Sequence, residues 1–330
     1  MRSIGSRWSG GRPALPNGPR SLTACARGSC GVTVPGATAR AAYLAYRGGA
    51  EVARALPRSI GVHVARGVSR AMTTVWTTRR RQVERNLERV TRGELSQEEL
   101  RQASGRLFAN YGQYWHELFR LRLNDPAIER DTEAEGYEHI AGPQAEGRGV
   151  ILALPHLGNW DAAGAWLAGR GHHITVVAEP LEPPELFSWF VEQRRVLGME
   201  VIPLGAGAAG ALLRALADGG IAALVCDRDL TGDGVEVELF GEPTTMPGGP
   251  AVLALRTGAP IVPVGIYFLA EGRRRLRIMP PVPAERRGTV RDDVQRVTQD
   301  LARVFEELIS AAPDNWLMMQ PVWPSDSRAP

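Results

Sequence analysis

The sequence has 330 residues and a mass of 35.8 kDa, with 44% hydrophobic and 23% charged residues, a balance that supports one large or two small folded domains. All 39 basic residues are arginine, giving a net charge of +3 and a pI of 9.0, so chemistry that needs a P-loop or Schiff-base lysine is excluded. No apolar run reaches the roughly 18 residues of a spanning helix, the longest, Ala251 to Ala270, being broken by Arg256, Gly258, Pro260 and Pro263. Cys25, Cys30 and Cys226 form no disulfide framework, which fits a reducing compartment, and the histidines and cysteines lack metal-ligand spacing.

Residues 1–37 are rich in Gly, Pro, Arg and Ser and lack a signal-peptide apolar block. They read as a disordered leader or an over-long start assignment. From 38 to 124 the pattern is helical. Tyr43, Leu44, Tyr46, Val52 and Leu56 make one greasy side with arginines opposite, and Ser96 to Glu99 forms a capping-box start. Leu100, Leu107, Phe108, Tyr111, Tyr114, Trp115, Leu118 and Phe119 follow at helical spacing. Between Arg40 and Arg92, ten arginines face only Glu51, Glu84 and Glu88. A basic amphipathic region with interfacial tyrosines predicts contact with an anionic membrane surface, or else an ordinary bundle helix with a solvated basic face.

Beyond Gly147, residues 150–154, 174–177, 201–204, 222–225, 235–239 and 261–266 read as strands, with helices at 162–167, 184–197, 209–217, 249–256 and 290–311. This alternation predicts an α/β core over 125–324, a central largely parallel or mixed sheet with helices on both faces, followed by a short tail, 325–330. Arg273, Arg274 and Arg275 after the Glu271-Gly272 turn read as a solvated hairpin edge.

The sharpest motif is Leu154-Pro155-His156-Leu157-Gly158-Asn159-Trp160-Asp161. A buried strand ends in a histidine, a Gly-Asn turn follows, and an aspartate lies five positions on. Ligands of open α/β sheets sit beyond the carboxyl ends of strands. A histidine there is placed to act as a general base, and an aspartate on its other nitrogen would fix the tautomer. No Gly-x-Ser-x-Gly elbow is present, so a hydrolase-type covalent intermediate is not indicated. Asp227-Arg228-Asp229 follows another apolar strand, and Arg228 could clamp a phosphate or pair with a neighbouring acid.

The motif resembles the His-four-residues-Asp signature of the glycerolipid acyltransferase superfamily, in the branch of lipid A late acyltransferases and actinobacterial phosphatidylinositol mannoside acyltransferases. The likeness continues through Val177-Ala178-Glu179, Phe190-Val191-Glu192-Gln193-Arg194, Leu197-Gly198, Asp227 to Thr231, Val235 to Glu242 and Gly249 to Ala259. It ends at Asn315-Trp316 and Gln320-Pro321-Val322-Trp323, so it spans roughly residues 38 to 324 and favours the mannoside branch. It implies an acyl-CoA co-substrate with no cofactor, a phosphatidylinositol mannoside acceptor acylated on a mannose hydroxyl, no nucleic acid, and peripheral attachment to the cytoplasmic face of the cell membrane. By position, His156 would be the base and Asp161 its orienting partner, while Glu179, Arg194, Asp227 and Arg228 would shape the substrate site. Some members carry a glutamate near Asp227, so the shorter acid here would need a backbone shift or a water to make the same contact. Pro180 stands where a basic residue would supply a sugar or phosphate contact.

Two other readings compete. Gly205-Ala206-Gly207-Ala208-Ala209-Gly210 matches G-x-G-x-x-G after a strand, with Asp227 about twenty residues on, as in an NAD(P)-dependent oxidoreductase. The same turn could instead receive the pyrophosphate of coenzyme A. A non-catalytic protein that binds membrane lipid or nucleic acid would also account for the basic helices.

Overall fold

The computed structural model describes residues 36–328; the leader reading, Cys25 and Cys30 fall outside them. Four helices come first: α1 (Gly36–Ala55), α2 (Arg58–Ala71), α3 (Thr77–Val90) and α4 (Gln97–Arg120). Ser96 caps α4 through a reciprocal pair with Glu99, as the sequence predicts. The next elements are α5 (Pro126–Arg130), β1 (Thr132–Glu135), α6 (Glu138–Ala145), β2 (Val150–Leu154), α7 (Trp160–Gly169), β3 (Ile174–Ala178) and α8 (Pro184–Val196). After these come β4 (Met199–Pro203), α9 (Ala208–Ala217), β5 (Ile221–Val225), β6 (Val235–Leu239), β7 (Glu242–Met246) and α10 (Gly249–Thr257). The last are β8 (Ile261–Phe268), β9 (Arg274–Ile278) and α11 (Val290–Ser310).

Seven strands form a mixed sheet in the order β1-β9-β8-β2-β5-β3-β4, parallel except where β9 turns back on β8. The α/β expectation holds, with two differences. The strand at 235–239 leaves the main sheet and pairs with β7 as a separate hairpin, held to α11 where Gln299 Oε1 accepts from Glu238 N–H and Glu306 Oε1 from Phe240 N–H. Of the arginines at 273–275, Arg273 and Arg275 are solvated as expected and pair with Glu133, but their strand is not an edge and Arg274 is not solvated. Strand β9 lies between β1 and β8, and Arg274 is buried, 3.6 Å from Glu117. A short strand, Thr132–Glu135, too polar to register as one, covers the edge the sequence left open.

All five residues of β2 are buried, because each face of the sheet is covered. Ile151 and Ala153 pack with apolar residues of α9, α10 and α11, whereas Leu152 and Leu154 pack with those of α4, α6, α7 and α8. The second layer contains the space described below.

The N-terminal helices divide differently from the expected greasy face. Tyr46 turns inward onto Trp115 and Phe190. Leu44 and Val52 on α1, Ile60, Val64 and Val68 on α2, and the following Val75 and Trp76 face outward at 42–73% exposure. Four-residue spacing places Ile60, Val64 and Val68 on one side of their helix. Among the described residues no helix is long and apolar enough to cross a membrane.

Helix α2 approaches α4 closely at Gly61. A Cβ added there would sit 2.3 Å from Nε2 of His116. His116 is 4% exposed, and neither ring nitrogen has a hydrogen-bond partner. Burial, aided by Arg120 and Arg58, pushes its pKa down to about 4. The unfolded chain therefore binds a proton that the folded chain refuses between about pH 6.5 and pH 4, so this residue makes stability fall as pH drops through that window. Urea unfolding followed against pH should show a shallower acid decline in His116→Leu than in the parent, by about 1–3 kcal/mol at pH 4. Parallel curves for the two proteins would reject this account.

Candidate active site

Strands β2 and β5 are neighbours, paired in parallel with Leu154 opposite Val225. The second residue past each strand end is therefore adjacent to the other, and these residues are His156 and Asp227. Nδ1 of His156 lies 2.5 Å from Oδ1 of Asp227, and the His156 backbone N–H donates to Oδ2 at 2.8 Å. Trp316 Nε1–H donates to the same Oδ2 at 2.7 Å. Asp227 is fully buried. Burial alone would raise its pKa, but His156 and these hydrogen bonds outweigh that and hold the carboxyl below its ordinary value. With Nδ1 occupied by the carboxylate, the lone pair of a neutral imidazole sits at Nε2.

The loop that carries His156 is fixed from several sides. Gly158 has φ 64°, and a Cβ there would lie 2.2 Å from the carbonyl oxygen of Ile266, so only glycine fits. Its N–H donates to Asn315 O, and Leu317 N–H donates to His156 O. Asn159 caps α7 by accepting from Ala162 N–H at 3.0 Å. The Trp160 ring meets His156 edge to face at 5.4 Å.

The structure corrects the pairing expected within the motif. Asp161 lies in the first turn of α7 and turns away from His156. Its carboxylate accepts from Arg194 Nε at 2.7 Å, from Arg194 Nη2 at 3.3 Å and from Tyr114 O–H at 2.8 Å. Burial would lower the Arg194 pKa, but Asp161 and Tyr114 raise it instead, so the guanidinium stays charged. Asp227, expected among the substrate-binding residues, is absent from the cavity wall and reaches the site only through His156. Its direct contacts need neither a water nor a backbone shift.

His156, 31% exposed at its side chain, opens onto an apolar cavity of about 300 Å³, within the range of ligand pockets. Leu152, Leu154, Val176, Val264, Leu276 and Ile278 supply much of its wall from four strands. Asp161, Glu179, Arg194 and Arg228 also line it, so with His156 five of the six expected site residues meet here. Arg228 makes no ion pair among the described residues. It stands on a loop tied by Asp229, whose carboxylate accepts from Thr231, Gly232 and Gly234 N–H and from Thr245 O–H. A larger cleft of about 940 Å³, with Arg58, Arg66 and Arg106 in its wall, does not include His156. Among the described residues no group of three or more His, Cys, Asp or Glu side chains converges as a metal site.

Trp316 escaped the sequence reading as a site residue. Its position in the Asn315-Trp316 signature was the available signal, but as a tryptophan it read as core. The Gly205–Gly210 turn follows β4 at the sheet edge, with Gly207 capping α9. The acid that a dinucleotide site would need, Asp227, is consumed by His156 and Trp316, which removes the oxidoreductase reading.

A part-exposed histidine backed by a buried carboxylate at the mouth of an apolar cavity, on an α/β sheet, suits transfer of an acyl group. The chain matches the family model described as bacterial lipid A biosynthesis acyltransferase over residues 37–325. It is also 42% identical over 224 residues to the phosphatidylinositol mannoside acyltransferase of two Mycobacterium tuberculosis strains, covering 66% of this chain and 69% of each relative. The protein of that name from Mycolicibacterium smegmatis is 41% identical over 222 residues, covering 66% and 71%. The chain therefore belongs to the bacterial lipid A biosynthesis acyltransferase family and is an acyltransferase.

Asp227→Asn tests the pairing. With its oxygen accepting from the His156 and Trp316 N–H groups, its NH₂ donates to Nδ1 and leaves the ring proton on Nε2, where the lone pair is needed. Turnover with a palmitoyl thioester should fall about a hundredfold or more, while thioester affinity, measured by calorimetry, holds because residue 227 is outside the cavity wall. An unimpaired variant would remove Asp227 from the mechanism.

Proposed function

We propose that this acyltransferase moves a long-chain acyl group from acyl-CoA to a mannose hydroxyl of a phosphatidylinositol mannoside, at the cytoplasmic face of the membrane. The observation that carries the reading is His156, with Nδ1 on Asp227, opening onto the apolar cavity. The similarity to mycobacterial proteins named for that glycolipid supports the acceptor class.

In this mechanism the acyl tail lies in the cavity and the thioester carbonyl stands beside Nε2. Nε2 takes the proton of the acceptor hydroxyl as its oxygen attacks the carbonyl carbon, and Asp227 stabilises the imidazolium that forms. The tetrahedral intermediate collapses, the C–S bond breaks, and the imidazolium returns the proton to the leaving thiolate. Products are the glycolipid ester and free coenzyme A, with no covalent enzyme intermediate and no resident cofactor. Arg228, on its tied loop and without an acidic partner, is the group available to a phosphate of either substrate, and Glu179 is exposed at the same mouth to accept hydroxyl hydrogen bonds.

Membrane attachment in this reading uses α1 and α2. Leu44 and Val52 on α1 and Ile60, Val64 and Val68 on α2 are exposed, and Arg47 and Arg70 on the same helices, with Arg79 and Arg81 on α3, pair with no acid among the described residues. Apolar side chains with nearby unpaired cations suit the headgroup region of an anionic bilayer.

Thiol release from palmitoyl-CoA, with and without a mannosylated phosphatidylinositol, tests the chemistry. The parent should release thiol in an acceptor-dependent manner, and His156→Ala should lose about a hundredfold or more. Equal rates in the two proteins, or release indifferent to acceptor, would overturn the proposal. For attachment, Val64→Glu/Val68→Glu should lower cosedimentation with vesicles containing phosphatidylinositol. Binding that persists in this variant, and that salt does not weaken, would place the contact elsewhere.

A further inference from the structure

The loop bearing His156 is held from behind by a chain of buried polar groups that the reaction as described does not use. Asn159 is fully buried, and its side chain works at both ends. Oδ1 caps α7, while Nδ2–H donates to Glu117 Oε2 at 2.8 Å. Glu117, on α4 and 7% exposed, accepts from Gln113 Nε2–H at 2.8 Å on its other oxygen. Arg274 approaches the first oxygen at 3.6 Å from β9. Gln113 in turn accepts from Arg66 Nη1–H of α2 at 2.6 Å, and the same Nη1 donates to Asn110 Oδ1 at 2.8 Å.

A buried carboxylate is costly unless it is matched, and apolar packing would fill this space without that cost. The match here is directional. Asn159 can point only one way: its oxygen must face the α7 N–H, so its amide N–H must face an acceptor, and Glu117 is that acceptor. Only Leu157 and Gly158 separate Asn159 from His156, and Gly158 is locked against Ile266. A shift of the Asn159 side chain is therefore passed to the imidazole.

We infer that Glu117 is a positioning residue: through Asn159 it fixes the loop that presents His156 to substrate, and Gln113 and Arg66 tie that position to α2. The inference rests on the reading of His156 as base. Neither Glu117 nor Asn159 lines the apolar cavity, so their loss should slow the chemical step and leave donor binding alone.

The test uses the full chain, palmitoyl-CoA as donor and a mannosylated phosphatidylinositol as acceptor. Glu117→Gln sets an amide N–H against that of Asn159 or Gln113, and Asn159→Asp sets two carboxylates together. Asn159→Ser is milder, because serine keeps the helix cap but loses the bond to Glu117. Each should lower kcat by about ten- to a hundredfold, the scale of a small displacement of a reacting group, with the KM and Kd of palmitoyl-CoA within about twofold of the parent. In Glu117→Gln/Asn159→Asp the glutamine amide can donate to the new carboxylate while its oxygen still accepts from Gln113. That pair should recover at least about tenfold of the lost kcat if direction is what matters.

Unchanged kcat in Asn159→Ser would overturn the inference, as would kcat falling in step with melting temperature and palmitoyl-CoA affinity, or a double variant no better than the worse single. His156→Ala run alongside separates the two levels of failure. If it stays active, the base assignment fails; if it is inactive while Asn159→Ser is normal, only the positioning role fails.

Discussion

A carboxylate with no access to water has to be satisfied on both oxygens by protein donors, and the architecture around Asp227 meets that requirement. Its donors come from the backbone and ring of His156 and from the indole of Trp316. Parallel pairing of β2 with β5 brings the first residue to it, and the segment after α11 brings the second. Neither strand can slip in register without separating the pair, since one residue of slip would also turn every buried side chain of β2 to the wrong layer. The demand of one buried acid thus links sheet order, the reactive loop and the C-terminal segment.

The Asp161–Arg194–Tyr114 cluster obeys the same rule with a different result. Buried ion pairs contribute little net stability, yet breaking one strands a charge. Here the three groups come from α7, α8 and α4, the helices that cover one face of the sheet beside the cavity. Pairing Asp161 with Arg194 removes net charge from that part of the wall, which then presents strand side chains to an apolar guest. The unpaired Arg228 and the exposed Glu179 remain at the open side. Charges are sorted by whether they have partners: matched ones inside the wall, unmatched ones where water can reach.

Much of this was legible in the sequence. The strand and helix runs after Gly147, the cap at Ser96 and the candidate base at a strand's carboxyl end follow from local patterns, because apolar periodicity and capping chemistry act over a few residues. Strand order does not, and the partner of His156 depended on it. Five residues of separation made Asp161 the natural choice, whereas Asp227 is 71 residues away and meets the histidine only because β5 lies beside β2. Arg274 was misjudged for the same reason: three consecutive arginines look solvated until a neighbouring strand closes over the middle one and Glu117 comes within reach. The cavity was illegible in principle, since Leu152, Val264 and Ile278 have the composition of a packed core.

The space beside His156 is a shortfall of packing between the sheet and α7, which brings the small residues Ala163 and Gly164 to its wall. Small residues leave room; larger ones would fill it and add stability through burial. Retaining the void therefore costs folding free energy, which the doubly covered sheet is large enough to bear. The polar anchors of the histidine, by contrast, lie outside the void: Asp227 below the loop, Trp316 beside it and Glu117 behind it. Because the imidazole is anchored by groups outside the cavity wall, substitutions in that wall leave its anchoring contacts in place.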